Sequence, residues 1–209
     1  MRRCELGITL IDTADSYGPY VSEDLIREVL HPYTGLTIAT KGGRDPSRAG
    51  HLASSRSSEY LRPCVLMSLR HLAVDRIDLW QLHRIDPAVP RDEQFDVIGQ
   101  MEKEGLIRHV GFSEVSVKEI VAAGSDFIVT TMLNRYNLVD RKSEAVIEHC
   151  ETKGIGFIPW SPLAAGSLVP PRVRAHRDRR PVGRLAEPGG VGLGAEAFRG
   201  SPPADPRHR

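Results

Sequence analysis

Four side chains able to move a proton to or from an oxygen fall at one kind of place in this chain. Asp12 closes the apolar run Ile8–Ile11, and Tyr17 follows five residues later, just before a Gly-Pro turn. Lys41 closes Gly35-Leu-Thr-Ile-Ala-Thr, and His83 follows Ile77–Leu82. Short apolar runs rich in β-branched residues predict buried strands. Each group therefore sits at or just past the C-terminal end of a strand, the edge that carries chemistry in parallel α/β proteins. A phenol with a pKa near 10 is a poor acid at neutral pH, and a nearby ammonium favours its phenolate. Lys41 can be that ammonium, Asp12 can keep it charged and oriented, and His83 can donate a hydrogen bond to a reacting oxygen. Singly, such residues read as packing tyrosines and solvated lysines; here they come together and in order.

The elements that must position them alternate. A helix with Ser22 as its cap and Leu25, Ile26, Val29 and Leu30 on its apolar face follows the first strand. After the Lys41 strand, Gly42 to Arg56 is polar and Gly-rich and reads as a loop. Ser57 or Ser58 caps a helix with Leu61, Val65, Leu69 and Leu72 on one face, and Pro63 falls near its first turn. Phe95, Ile98 and Met101 mark a helix stopping at Gly105, and Ile107–Phe112 is a strand ending on Ser113. Ser116 and Glu119 form a capping box for a short helix that ends at Gly124. Phe127–Leu133 is a strand, Ser143–Lys153 a helix with Val146, Ile147 and Cys150 inward, and Ile155–Pro159 a strand leading to Trp160. Arg2–Leu6 reads as the last turn of a helix with Gly7 at its end. Strict βα alternation predicts a parallel sheet with right-handed crossovers.

The stretch GITLIDTADSYGPYVSE resembles the signature around the second strand of the aldo-keto reductases, which are NADP-dependent (β/α)8 oxidoreductases. The resemblance continues in the family's order through IATKGG, IDLWQLHRID, IRHVGFSEVS, NRYNLVDR and FIPWSPLAAG, covering about residues 3–168. It implies an α/β fold, a (β/α)8 TIM barrel that is incomplete, with strands two to seven of the family present in residues 1–168. It also implies the reduction of an aldehyde or ketone with NADP(H). Tyr17 would act as general acid, assisted by Lys41, Asp12 and His83. On the cofactor side, Ser113 matches the hydroxyl that holds the nicotinamide carboxamide, and Glu114 stands where the family usually has Asn. Leu133 replaces a Gln that contacts the same carboxamide, leaving Asn134 beside it. Trp160 matches the aromatic that stacks on the ring, and Ser161 and Leu163 fall in a loop that contacts the pyrophosphate. The basic loop that grips the 2′-phosphate has no counterpart. An alternative within the same family is a truncated, catalytically silent relic or a cofactor-sensing regulatory subunit.

Composition is compatible with this. A chain of 209 residues with 40% hydrophobic and 26% charged residues can build one soluble core, and a net charge of +1 favours no nucleic-acid partner. Cys4, Cys64 and Cys150 are widely separated with no Cys-x-x-Cys, and nothing suggests a metal site. No apolar run approaches a membrane span, and Met1-Arg2-Arg3 leads into no apolar signal core. These features predict a cytoplasmic protein acting on a small-molecule carbonyl substrate. From Val169 onward the chain changes to nine Arg, no Lys and four acidic residues among Pro and Gly, a composition that predicts disorder. Gly192, Gly194 and Ala197 match G-x-G-x-x-A, but no strand pattern precedes them. Read one base later, codons for Gly192–Phe198 permit Ala-Trp-Ala-Leu-Lys-Arg-Ser, which resembles a family helix. A reading-frame shift near residue 169 would account for the change.

Overall fold

The computed structural model describes residues 7–44 and 58–166. The expected Arg2–Leu6 turn, a cap at Ser57, Cys4, most of the Gly-rich loop and the tail from Val169 lie outside the described residues. Six strands alternate with helices in chain order: β1 Leu10–Asp12, α1 Val21–Leu30, β2 Thr37–Gly42, α2 Leu61–Leu72, β3 Ile77–Leu82, α3 Arg91–Lys103, β4 Ile107–Ser113, α4 Val117–Ala123, β5 Val129–Arg135, α5 Glu144–Lys153 and β6 Gly156–Trp160. The strands are ordered in the sheet as they are in sequence. Sequential strands joined by helical crossovers are the topology of a (β/α)8 barrel, of which six strands are described here. The chain divides into two compact units, Met1–Met132 and Leu133–Arg209.

In the first unit the parallel register is set by buried apolar residues. Ile11 pairs with Ile38, Trp80 with Val110 and Leu82 with Phe112. Phe95 of α3, Phe112 of β4 and Phe127 meet with ring centroids 5.3–5.9 Å apart. Each such ring contributes about 1.5–3 kcal/mol by burial, and each pair adds about 0.5–1.5 kcal/mol. Lys41, Gln81 and Gly111 lie at one level across β2, β3 and β4. A Cβ on Gly111 would lie 2.2 Å from Thr131 Oγ1 and 3.1 Å from Gln81 Cγ, so only glycine lets those side chains pass. α2 buries Leu61, Val65, Leu69 and Leu72, the expected face, together with Cys64. The Ser116–Glu119 capping box is present, with Glu119 Oε2 2.6 Å from the Ser116 N–H.

Several local expectations fail for identifiable reasons. Ser22 does not cap α1. Tyr20 holds that position in a left-handed conformation, and Ser22 Oγ instead accepts from Thr13 Oγ1 at 2.8 Å. Val21, Leu25 and Val29 of this helix are exposed, while Glu23 is fully buried and accepts from Thr40 Oγ1 at 2.5 Å. Ser58 does not cap α2 either; it opens a 3₁₀ turn, Ser58–Tyr60, that leads into the helix. β1 is half-buried rather than buried, with Ile8 exposed, because it is the edge strand of the described sheet. β5 begins at Val129, two residues later than the apolar run predicts, and Phe127 packs in the aromatic cluster before it.

The second unit carries the end of β5, α5 and β6. Val146 and Cys150 of α5 are buried, and Gly154 ends that helix at φ 67°, a conformation glycine adopts without cost. Tyr136 packs edge-on against Phe157 with ring centroids 6.2 Å apart. Cys64 in the first unit and Cys150 in the second are both buried free thiols. No helix among the described residues is long and apolar enough to cross a membrane.

Candidate active site

The first unit brings Asp12, Tyr17, Lys41 and His83 to the C-terminal ends of β1, β2 and β3. The Lys41 ammonium is buried, donating to Asp12 Oδ2 at 2.5 Å and to the Thr13 carbonyl at 2.6 Å. The other Asp12 oxygen accepts from Gln81 Nε2 at 2.9 Å. Burial pushes the Lys41 pKa down, while Asp12 opposes that by charge and hydrogen bond. Gln81 is a site residue that the sequence reading misses. Its signal is a fully buried amide inside the apolar run IDLWQL, in register with Lys41.

The Tyr17 ring centroid lies 5.4 Å from Lys41 Nζ and 6.2 Å from the His83 ring, which it meets edge-on at 83°. Tyr17 is 46% exposed, so the phenol is open to solvent and to a ligand. Its pKa is pushed up by burial first and by Asp12 second, with Arg44 and Arg84 opposing. The expectation that Lys41 pulls the phenol down is therefore corrected. The ammonium is in contact with the Asp12 carboxylate, whose own charge raises the phenol pKa. His83 is held down to about 4, by burial first and then by Lys41, Arg44 and Arg84, so its imidazole is neutral at pH 7. Its Nδ1 lies 3.4 Å from Ser16 Oγ, a second neighbour absent from the sequence reading. In the tautomer in which Nδ1 accepts from that hydroxyl, Nε2 carries the proton and is the donor.

Ser113 closes β4 and is buried, and its Oγ accepts from Arg84 Nη1 at 3.1 Å. Glu114 follows at φ 58°, a left-handed conformation uncommon outside glycine. One residue before the phenol's loop turns, Asp15 is buried and its carboxyl is pushed up to about 6 by desolvation. A neutral imidazole, a protonated phenol and a buried ammonium paired with a partly exposed carboxylate can together give a proton to an oxygen and hold the developing charge.

The second unit holds Leu133 and Asn134, both buried in β5, and Trp160, Ser161 and Leu163 at and after the end of β6. Trp160 is 37% exposed, with the Arg135 guanidinium 5.4 Å from its ring centroid. Ser161 has φ 57°, and its carbonyl accepts from Asn137 Nδ2 at 3.1 Å and from the Ala164 N–H at 2.9 Å. Asn137 also takes the Val139 and Asp140 N–H groups on its Oδ1. This asparagine pins the loop. The sequence signal for it was an Asn opening a polar turn in NRYNLVDR. Among the described residues no cluster of three or more His, Cys, Asp or Glu could hold a metal ion.

A parallel sheet in chain order, with a Lys–Asp pair whose lysine is buried and a phenol at its C-terminal edge, defines a (β/α)-barrel architecture. The aldo/keto reductase family model matches residues 2–185, running past the boundary that composition puts at residue 168. The chain belongs to the aldo/keto reductase family and is an oxidoreductase by lineage. It is 58% identical over 167 residues to an uncharacterized oxidoreductase of Schizosaccharomyces pombe, covering 80% of this chain and 55% of that protein. It is 34% identical over 173 residues to the pyridoxine 4-dehydrogenase of Escherichia coli, covering 79% of this chain and 59% of that one. Among solved structures it resembles a holo aldo-keto reductase from Bacillus halodurans, with TM-score 0.68 and 28% identity over 86% of this chain and 58% of that one. It also resembles an aldo-keto reductase from Klebsiella pneumoniae in complex with NADPH, with TM-score 0.64 and 25% identity over 79% of this chain and 57% of that one. The chain thus spans rather more than half the length of these relatives.

Proposed function

We propose that the protein reduces an aldehyde or ketone to an alcohol with NADP(H), with Tyr17 as the proton donor. The observation that carries this reading is the joint position of Tyr17, His83 and the Lys41–Asp12 pair at one sheet edge. Tyr17 is protonated at neutral pH and so holds the proton the product alkoxide needs. Neutral His83 donates from Nε2 to the substrate oxygen and orients it toward the phenol. Lys41, anchored by Asp12 and the Thr13 carbonyl, supplies positive charge beside the phenol as the proton leaves. Gln81 fixes the free oxygen of Asp12 and thereby the pair's geometry.

Bound NADP(H) supplies the hydride. The residues at the nicotinamide side, Leu133 apart, fit that cofactor in chemistry. Arg84 donates to Ser113 Oγ and leaves the serine's own proton free for a carboxamide oxygen. Ser113, Glu114, Asn134, Trp160, Ser161 and Leu163 are the residues that would hold it, Trp160 by stacking and the two loop residues at the pyrophosphate. Cofactor choice and cytoplasmic location are part of this proposal. The test is NADPH oxidation by the full chain with an aromatic aldehyde, alongside quenching of tryptophan fluorescence by NADPH. Turnover in the wild type and none in Tyr17→Phe supports the reading. NADPH binding without turnover would favour a cofactor-sensing role.

A further inference from the structure

We propose that Arg84 makes this site selective for carbonyl compounds that carry an oxyanion, a carboxylate or a phosphate, close to the C=O group. The inference rests on the reductase reading of the same site.

Arg84 directly follows His83 at the C-terminal end of β3. Its Nη1 is spent on two neighbours, the His83 carbonyl at 3.3 Å and Ser113 Oγ at 3.1 Å. These bonds fix the plane of the guanidinium between His83 and Ser113, the residues read as facing the substrate oxygen and the carboxamide. The Nε–Nη2 edge makes no hydrogen bond, and Arg84 makes no ion pair, among the described residues. That edge is the one that takes a carboxylate or phosphate with two parallel N–H···O bonds.

The cationic charge at this site comes from two guanidiniums besides Lys41. Lys41 is paired with Asp12, but the charges of Arg44 and Arg84 reach both Tyr17 and His83. Burial lowers the Arg84 pKa most, Glu114 and then Tyr17 oppose that, and Arg44 adds to it. A half-buried guanidinium in such surroundings gains more from an incoming anion than one in open water does. A neutral carbonyl compound leaves that edge unmet.

The test uses the full chain and paired probes of nearly equal shape. These are 4-carboxybenzaldehyde against methyl 4-formylbenzoate, and glyceraldehyde 3-phosphate against glyceraldehyde. Calorimetric binding and NADPH-dependent kcat/KM are both measured, in wild type and in Arg84→Met. In wild type the anionic member is expected to be preferred about tenfold or more, the worth of a charge-assisted hydrogen bond. In Arg84→Met that ratio falls toward one, and Arg84→Lys keeps part of it. Preference within only one pair tells carboxylate from phosphate. Should Arg84→Met not fold, the wild-type ratio itself must fall with added salt, since screening weakens the contact. A wild-type ratio near one, a ratio unchanged in Arg84→Met, or a salt-independent ratio overturns the proposal. Charge-selective binding lost in Arg84→Met but without turnover in any arm would uphold Arg84 as the anion site and overturn the reductase reading alone.

Discussion

Lys41 and Asp12 form one ion pair in two different media: the lysine is 1% exposed and the aspartate 29%, with 2.5 Å between Nζ and Oδ2. Removing either partner therefore has different consequences. Asp12→Asn leaves a buried ammonium without its counter-charge, a change that costs about 3–5 kcal/mol. Lys41→Met removes the buried charge and leaves a carboxylate that water and Gln81 still reach. The expected order in urea denaturation is wild type, then Lys41→Met, then Asp12→Asn as the least stable. Equal losses in the two variants would contradict it.

Tyr17→Phe deletes a hydroxyl from a ring that is nearly half exposed. Its effect on stability is expected to stay within about 0.5 kcal/mol. Carbonyl reduction should be abolished, while NADPH affinity changes by no more than a few fold, because the phenol acts on the proton being moved. Steady-state turnover near the wild-type value in this variant would remove Tyr17 from the acid role.

Asp15 and His83 give the protein opposite pH responses. The Asp15 pKa rises on folding from 3.8 to about 6, so the folded state is favoured below pH 4 and loses that advantage as pH rises through 6. Above that pH the buried carboxylate costs up to about 3 kcal/mol. Asp15→Asn should raise the melting temperature at pH 7.5 and leave it little changed at pH 4. The His83 pKa falls on folding from 6.5 to about 4, so its contribution is intact above pH 6.5 and is lost as pH falls through 4. Relative to wild type, His83→Gln should gain stability progressively over that window. A constant offset between the two proteins from pH 7 to pH 4 would refute the assignment.

Gly111→Ala would drive a methyl to 2.2 Å from Thr131 Oγ1. Overpacking of that kind costs about 1–3 kcal/mol, and the shift would also displace Gln81. Gly111→Ala/Thr131→Ala should recover part of the loss, since the first clash is with the hydroxyl. The Thr131 carbonyl, 2.9 Å from the same position, limits the recovery. A double variant no more stable than Gly111→Ala alone would locate the strain elsewhere.

The strand ends were legible in the sequence because apolar runs and the polar residues that stop them are local signals. Ile77–Leu82 is found as predicted, and Asp12, Tyr17, Lys41 and His83 do come together. Gln81, Ser16 and Arg84 were not legible, since each matters through a partner 29–69 positions away. The orientation of α1 was hidden as well. Periodicity locates the apolar stripe Leu25–Ile26–Val29–Leu30 but not the Thr13–Ser22 hydroxyl pair that accompanies the buried Glu23. The Tyr17 pKa direction was not legible because burial of the phenol, the larger cause, and the charge of Asp12 on the ring itself both depend on the fold.

The two buried thiols offer a way to watch the molecule open. Burial raises Cys64 to about 12 and Cys150 to about 11, so neither presents a reactive thiolate in the folded state. One belongs to each compact unit. Alkylation followed residue by residue thus becomes a pair of independent clocks, Cys64 timing exposure of the unit that carries Tyr17 and Lys41, and Cys150 timing the unit that carries Trp160. Matching rates would mean that the two units come apart as one cooperative body, and a faster Cys150 that the Trp160 unit can open while the Lys41–Asp12 pair stays closed to water.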